Sequence, residues 1–518
     1  MAGQAAGADL SAFGDHLAAP RGRGRLRAAA HVGAAGGAAC GDLVTLRLRI
    51  DRDRVADAGF DASGCAAASA AASAAVELAA GRSFLEAARI GAGDVAQALG
   101  GLVARKRHAA ELAADALQRA LGAAAGAGAV QLGHSTGRTL VAISGGVDSA
   151  VAAQLALEAG DEVVAVTLEL WADPANDGAR SCCSPQAVIG ARALAHGLGL
   201  PHVTLDMRSR FREQVVADYL AEHAAARTPN PCVRCNGLVR IDAMLALARS
   251  LGAARLATGH YARIAVDDRG PLLRMAADPQ KDQTYMLARL APDELARLWF
   301  PLGELTKPRV RELARRAGLS VADKAESQDL CFLAGTGRSA FLRRHGNRGS
   351  GSGRRGQIVD RAGNVLGSHE DQRELTVGQR RGVGIASTEP LYVLHKDART
   401  NRVTVGPRTA LATCRVTLDQ AWLERPGSTV DHVKLRYRSP AVRCRLEGIP
   451  AAGAHQGLTV ALASPVDGVA PGQTACLLRD DKIIGWAVIA DQPASRPALR
   501  GAREAARSPR VAGVPDGG

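Results

Sequence analysis

A chain of 518 residues is too long for a single hydrophobic core and predicts about two to four domains. Its 47% hydrophobic and 22% charged residues are the proportions of a soluble globular protein. The net charge of +14 favours a polyanionic partner such as RNA, no better than evenly against a merely solvated basic surface. No charge-free run of about eighteen apolar residues occurs, Met1–Asp15 lacks a basic-then-apolar order, and the ten cysteines are too sparse for a disulfide scaffold. No membrane span, membrane partner or export signal is therefore expected, and the location predicted is the reducing cytoplasm.

In chain order, residues 1–125 read as a first unit. The alternation from Asp42 to Asp51 predicts a strand, and the stretches around 65–80 and 103–121 predict helices. Gly and Ala crowd Gly122 to Gly137, which reads as a linker, with the domain boundary placed over 126–137. From 138 to 335, the apolar runs Thr139–Ile143, Glu162–Leu168 and Pro201–Leu205 alternate with helical patterns, as in a doubly wound parallel sheet. A basic Gly/Ser loop over 346–356 follows. Short strands with Gly, Pro and Asp turns then predict small β domains over 336–410 and 411–492, the second barrel-like, and 493–518 reads as a disordered tail. The fold class is multidomain α/β with an α+β unit first and β units last.

The first predicted strand of the sheet runs into Ser144, Gly145, Gly146, Val147, Asp148 and Ser149, and a helical pattern follows. Glycines there let backbone N–H groups approach a phosphate, and the helix N-terminus adds a favourable dipole. An ordinary strand-to-helix turn is the competing reading; six specific residues in this context favour the phosphate. No Gly-x-x-x-x-Gly-Lys-Ser/Thr string occurs, so this is not the loop of P-loop NTPases. The string resembles the pyrophosphate loop of ATP pyrophosphatases. That resemblance implies ATP bound with Mg²⁺, Asp148 helping to hold the ion and Ser144 and Ser149 on the phosphates.

Residues 228–236 carry Asn230, Pro231, Cys232 and Cys235, and Cys331 lies far along the chain before Phe332. A lone C-x-x-C is half a zinc site, a redox pair or two packed thiols. Cys182 and Cys183, being adjacent, ligate one metal awkwardly. These strings, together with Ala257–Arg263, Lys281–Gln283 and Thr376–Ile385, occur in the same order as in the tRNA-specific 2-thiouridylase (MnmA) family. The resemblance spans about residues 138 to 492.

The family adenylates the C2 carbonyl oxygen of the wobble uridine and displaces AMP with sulfur. The resemblance implies Cys235 as the thiol that bears persulfide sulfur and Cys331 as its partner, completing a disulfide. It implies Ala142, Ile143, the loop 144–149, Leu168 and Gly259 around ATP. Asn230, Pro231 and Cys232 fall where the family meets the target base; some members carry Asp at the position of Cys232. His260, Lys281, Asp282, Gln283, Arg436, Tyr437 and Gln473 fall at tRNA-contacting positions. The run Lys434–Arg438 reads as an alternating strand with its cations on one face, and Tyr437 stacks on a base only where the backbone turns it outward. The implied partners are tRNAs for Lys, Glu and Gln, with a cysteine desulfurase or sulfur-relay protein as donor. An alternative uses Cys232, Cys235 and Cys331 as ligands of an iron–sulfur cluster. Cys414, Cys444 and Cys476 read as core or surface thiols.

Residues 13 to about 122 resemble the IscU/NifU iron–sulfur scaffolds. Cys40, Asp42 and Cys65 match three positions of that family's assembly site, and Ala109 stands where its third Cys belongs. With His108 adjacent, the implied site holds Zn²⁺ or Fe²⁺ or accepts a persulfide. A degenerate docking module for a desulfurase is an equal alternative. Two further functions compete for the whole chain: an argininosuccinate- or GMP-synthetase-like ligase, and an assembly scaffold with an inactive nucleotide domain.

Overall fold

The computed structural model describes residues 10–26, 30–36, 41–173, 184–325, 330–346 and 355–492. Cys40, Cys182, Cys183, most of the basic Gly/Ser loop and the stretch from 493 onward lie outside the described residues. No helix among the described residues is long and apolar enough to cross a membrane.

The first unit is a three-stranded antiparallel sheet, His31–Gly36, Leu43–Asp51 and Arg54–Ser63, covered by helices. Alternation in the middle strand buries Val44, Leu46 and Leu48 on one face. Two Ala-rich helices, Ala66–Ala79 and Arg107–Gly126, pack against it, small side chains letting the backbones come close.

The second helix departs from the expected linker: it continues to Gly126, so Gly122 sits inside it. The reason is tertiary. A Cβ on Gly122 would lie 1.9 Å from the carbonyl oxygen of Thr204 in the nucleotide-binding unit, so glycine here serves contact and not flexibility. Val130 is then buried, its carbonyl accepts from the Ser250 hydroxyl at 2.5 Å, and a strand begins at Ser135. Ion pairs cement this junction: Arg192 to Asp115 at 2.8 Å and Arg119 to Glu169 at 3.2 Å.

The second unit is a parallel sheet in the order Leu298–Trp299, Ala253–Thr258, Ser135–Ala142, Glu162–Glu169, His202–Asp206. The chain leaves Ser135–Ala142 toward one edge and later returns on its other side. This makes a topological switch point at the carboxyl ends of Ser135–Ala142 and Ala253–Thr258, where such sheets bind ligands.

A hairpin from this unit, Arg263–Asp267 with Gly270–Arg274, adds to the C-terminal sheet through Lys482–Ile489. That sheet closes on itself because Ala412–Leu423 pairs with both Gly453–Asp467 and Lys482–Ile489. Between the two units stands a four-stranded sheet in the order Val365–His369, Gly356–Val359, Arg402–Gly406, Tyr392–Asp397.

The expected strand Lys434–Arg438 is corrected. The strand is His432–Lys434, and Arg436 to Arg438 form a turn closed by Ser439 N–H donating to the Arg436 carbonyl at 3.2 Å. Pro440 lacks the N–H a ladder needs, so the pairing stops before it.

Candidate functional site

The site gathers at the switch point. Gly146 caps the helix Val147–Glu158 without a side-chain hydrogen bond, so the first N–H groups of that helix face the cavity. Ser149 Oγ donates to Gly146 O at 3.0 Å and accepts from Ser144 N–H at 3.1 Å, which pins the loop into a cradle. Across it, a Cβ on Gly259 would lie 2.8 Å from Ser149 N; the next strand can approach only as glycine.

A cavity of about 970 Å³ opens here. It is lined by Ala142, Ile143, Ser144, Gly146 to Ser149, Leu168 and Gly259 on one side and by His260, Lys281, Asp282, Gln283 and Tyr437 on another. The expected nucleotide residues other than Gly145 and five of the ten expected tRNA residues thus share one space, while Asn230, Pro231, Cys232, Arg436 and Gln473 do not line it. Gly145 is held just behind it, its carbonyl accepting from Lys324 Nζ at 2.8 Å.

Two lysines were not foreseen. Lys307 Nζ lies 2.7 and 2.8 Å from the two carboxylate oxygens of Asp148, and Tyr261 OH donates to the same carboxylate at 2.8 Å. With Lys324 they place two cations at the phosphate loop. Lys307 begins the helix Lys307–Arg316, where a lysine before proline carries no catalytic signature, so only the spatial neighbourhood reveals it.

The tRNA-contact residues differ in character. Burial pushes His260 down to about 3, so it is a neutral hydrogen-bonding group, its Nδ1 2.9 Å from Thr258 Oγ1. Asp282 is buried and braces the loop, accepting from Ala276 N–H at 3.1 Å and Thr284 Oγ1 at 2.9 Å. Tyr437 sits in the turn just described and lines the cavity, while Arg436 is exposed. Gln473 Nε2 donates to the Thr228 carbonyl at 2.5 Å, tying the barrel to the cysteine loop.

The thiols of the expected site are not among the cavity's lining residues. Asn230 caps the helix Pro231–Cys235, accepting from Cys232 N–H at 3.1 Å. Cys232 thus lies in the first turn of that helix. Cys235 is buried in the main apolar cluster and Cys331 packs against the same cluster. Phe332 anchors Cys331, its ring 5.2 Å from Tyr219 and 5.0 Å from Phe341. Cys476 belongs to the same main cluster as Cys235, whereas Cys444 packs against the C-terminal barrel core; burial pushes Cys444 up to about 12 and Cys476 upward as well, which favours the protonated thiol in both.

In the first unit, ligand atoms of Asp42, Cys65 and His108 lie within 4.8 Å of one another. Cys65 Sγ is 3.1 Å and His108 Nε2 3.0 Å from Asp42 Oδ2. Hydrogen bonding from the Cys65 N–H, foremost, holds the Asp42 carboxyl below its usual range. Ala109 is fully buried and offers no ligand.

A phosphate cradle at the switch point of a parallel sheet, opening on a cavity lined in part by Arg240, Lys281, Lys434 and Arg438, defines an ATP-pyrophosphatase-type enzyme; a scaffold-like unit is built onto it. Comparisons with known proteins agree. Family models match residues 11–126 (NifU-like N terminal domain), 137–335 (tRNA methyl transferase HUP domain), 340–407 (tRNA methyl transferase PRC-barrel domain) and 412–489 (Aminomethyltransferase beta-barrel domain). A bifunctional protein NifU/MnmA of Rubrobacter xylanophilus is 45% identical over 494 residues, covering 93% of this chain and 98% of its own. The tRNA-specific 2-thiouridylase MnmA of Magnetococcus marinus is 42% identical over 361 residues, covering 68% of this chain and 99% of its own. The chain belongs to the NifU/MnmA family, a 2-thiouridylase fused behind a NifU-like domain.

Proposed function

We infer that the chain binds ATP and a tRNA together and converts a uridine of that tRNA to 2-thiouridine, with AMP and pyrophosphate as the other products. The observation that carries this reading is the single cavity in which the phosphate cradle, Leu168 and Gly259 face His260, Lys281, Gln283 and Tyr437. The uridine C2 oxygen attacks the α-phosphorus of ATP, and pyrophosphate leaves toward the helix N-terminus, Lys307 and Lys324. Those charges are present before the reaction, so they favour the departing phosphate without reorganising. The carboxylate of Asp148 suits a Mg²⁺ ion, which would neutralise phosphate charge. Sulfur from a persulfide on the Cys235/Cys331 pair then bonds to C2, AMP leaves, and the two cysteines close a disulfide that a reductant reopens.

The tRNAs proposed are those for Lys, Glu and Gln, and the sulfur donor proposed is a cysteine desulfurase or a relay protein. For the first unit we favour a single Zn²⁺ or Fe²⁺ ion over a cluster, because Asp42, Cys65 and His108 supply mixed ligands and the third scaffold thiolate is absent.

The test is nucleoside mass spectrometry on unmodified tRNA transcripts incubated with the protein, ATP, Mg²⁺, cysteine and a desulfurase. Thiouridine should form, and should vanish in Cys235→Ser and in Cys331→Ser while tRNA-dependent ATP–pyrophosphate exchange survives. Exchange without thiouridine in the native protein would leave a different ligase as the better account.

A further inference from the structure

The carbonyl of Ala88, fully buried in the NifU-like unit, is a meeting point of the two units. From the nucleotide-binding unit the His202 N–H donates to it at 3.0 Å and His196 Nε2 at 3.1 Å, and Gln118 Nε2 of its own unit donates at 3.3 Å. Arg89 Nε donates to the Gly199 carbonyl at 3.2 Å, and a Cβ on Gly91 would stand 2.9 Å from His196 Nδ1. The segment from Ala88 to Gly91 is thus seated on His202–Asp206, the edge strand of the parallel sheet, and takes up an N–H that the edge would otherwise leave open.

His202 carries this contact into the sheet. Its ring is fully buried, and Nε2 lies 2.9 Å from Thr167 Oγ1, which in turn donates to the Ile143 carbonyl at 2.8 Å. A hydroxyl has one proton to give, so Thr167 accepts from His202 and the imidazole hydrogen sits on Nε2. His202 Nδ1 is buried and has no hydrogen-bond partner among the described residues, which suits a bare lone pair there. Burial also holds the ring well below its ordinary pKa, so it stays neutral.

The peptide between Ile143 and Ser144 opens the phosphate loop, and it is held at both ends. Thr167 grips its carbonyl, and Ser149 Oγ accepts from its N–H at 3.1 Å. The Ile143 N–H is fixed as well, donating to the Val166 carbonyl at 2.8 Å. Ile143, Ser144 and Val166 line the cavity, whereas Thr167 and His202 do not, so these two act on a nucleotide only through the loop. A peptide plane fixed in this way aims the N–H groups that follow it before any phosphate arrives.

We propose that the NifU-like unit takes part in nucleotide binding: its segment from Ala88 to Gly91 holds His202, and His202 and Thr167 are positioning residues that fix the Ile143–Ser144 peptide and with it the phosphate loop. The inference rests on the reading of the main cavity as an ATP site, and it gives the fused unit a role separate from sulfur or metal.

The experiment uses the full chain and measures ATP, AMP and tRNA binding by titration calorimetry, where an unfolded fraction lowers the stoichiometry and leaves the affinity of the folded molecules unchanged. Thr167→Val removes the hydroxyl and should weaken ATP binding about 10-fold, while Thr167→Ser, which keeps it, should stay within about 2-fold of native. Gly91→Val, made in the other unit, pushes on His196 and should weaken ATP binding about 3- to 10-fold. In both weakened variants AMP, with one phosphate in place of three, should lose under about 3-fold, and affinity for an unmodified tRNA transcript should stay within about 2-fold. Native ATP affinity in Thr167→Val or in Gly91→Val would overturn the proposal, as would equal losses for ATP and AMP, which mark general disorder of the site. A native chain that binds ATP but shows no tRNA-dependent ATP–pyrophosphate exchange would strike instead at the thiolation reading.

Discussion

Lys307 shows how a functional side chain escapes a linear reading. It lies 159 positions from Asp148, yet its ammonium rests on that carboxylate and its residue is buried. The ion pair keeps a cation at the phosphate loop, and bringing nucleotide in sets that cation among phosphate oxygens. Lys307→Ala should therefore slow ATP–pyrophosphate exchange by about 10²-fold, the usual cost of removing one preorganised charge. Lys307→Arg should recover part of it. If exchange by Lys307→Ala is native-like while thermal stability falls, the lysine is only a structural partner of Asp148. By contrast, Ser144 to Ser149, Cys235 and Cys331 are singled out by the sequence because each belongs to a string whose order carries meaning. The neutral state of His260 was not: it follows from burial, which a sequence does not display.

At the scale of elements, the helix Arg107–Gly126 is the most instructive. Its Ala-rich sequence suggests an ordinary helix frayed into a flexible linker, but it is buried on most sides because two units share it. Arg119 on this helix meets Glu169 at the end of Glu162–Glu169, and the Glu169 side chain is 2% exposed. Arg208 is the other cation near that carboxylate, at 3.7 Å. Arg119→Met should thus cost about 3 kcal/mol, because it strands a buried charge. Arg119→Met/Glu169→Met should regain most of the loss, as urea unfolding would show. A loss under about 1 kcal/mol in the single variant would mean that water or Arg208 suffices for Glu169. The turn at Arg436–Arg438 teaches the same lesson in reverse. Its alternating charge reads as a strand, and Pro440 together with the tie to Gly468 makes it a turn that presents Tyr437 to the cavity.

For the whole molecule, the main apolar cluster runs without a break from Val44 and Phe60 of the first unit to Leu140, Val203 and Cys235 of the second. Domains joined by a tether unfold separately; domains sharing a core do not. The NifU-like and nucleotide-binding units should unfold in one calorimetric transition. Hydrogen exchange in the strand Leu43–Asp51 should track that in Ser135–Ala142. A separate, earlier transition of the first unit would show that the shared cluster is not cooperative. In this chain the two units share one apolar cluster, although relatives such as the Magnetococcus marinus protein match only 68% of the chain.

By itself the amino-acid sequence determined the parts whose chemistry is local. The phosphate cradle follows a buried strand, the C-x-x-C sits on a capped helix, Asp42 and Cys65 lie in a scaffold-like pattern, and the parallel sheet announces itself by alternating strands and helices. Tertiary structure alone decided which distant charges meet, as with Lys307 on Asp148 and Arg119 on Glu169. It also decided that Gly122 is a contact surface. The physical reason is range: hydrogen-bonding turns and periodic burial act within a few residues, whereas an ion pair or a close backbone approach depends on distance in space and leaves no period in the sequence.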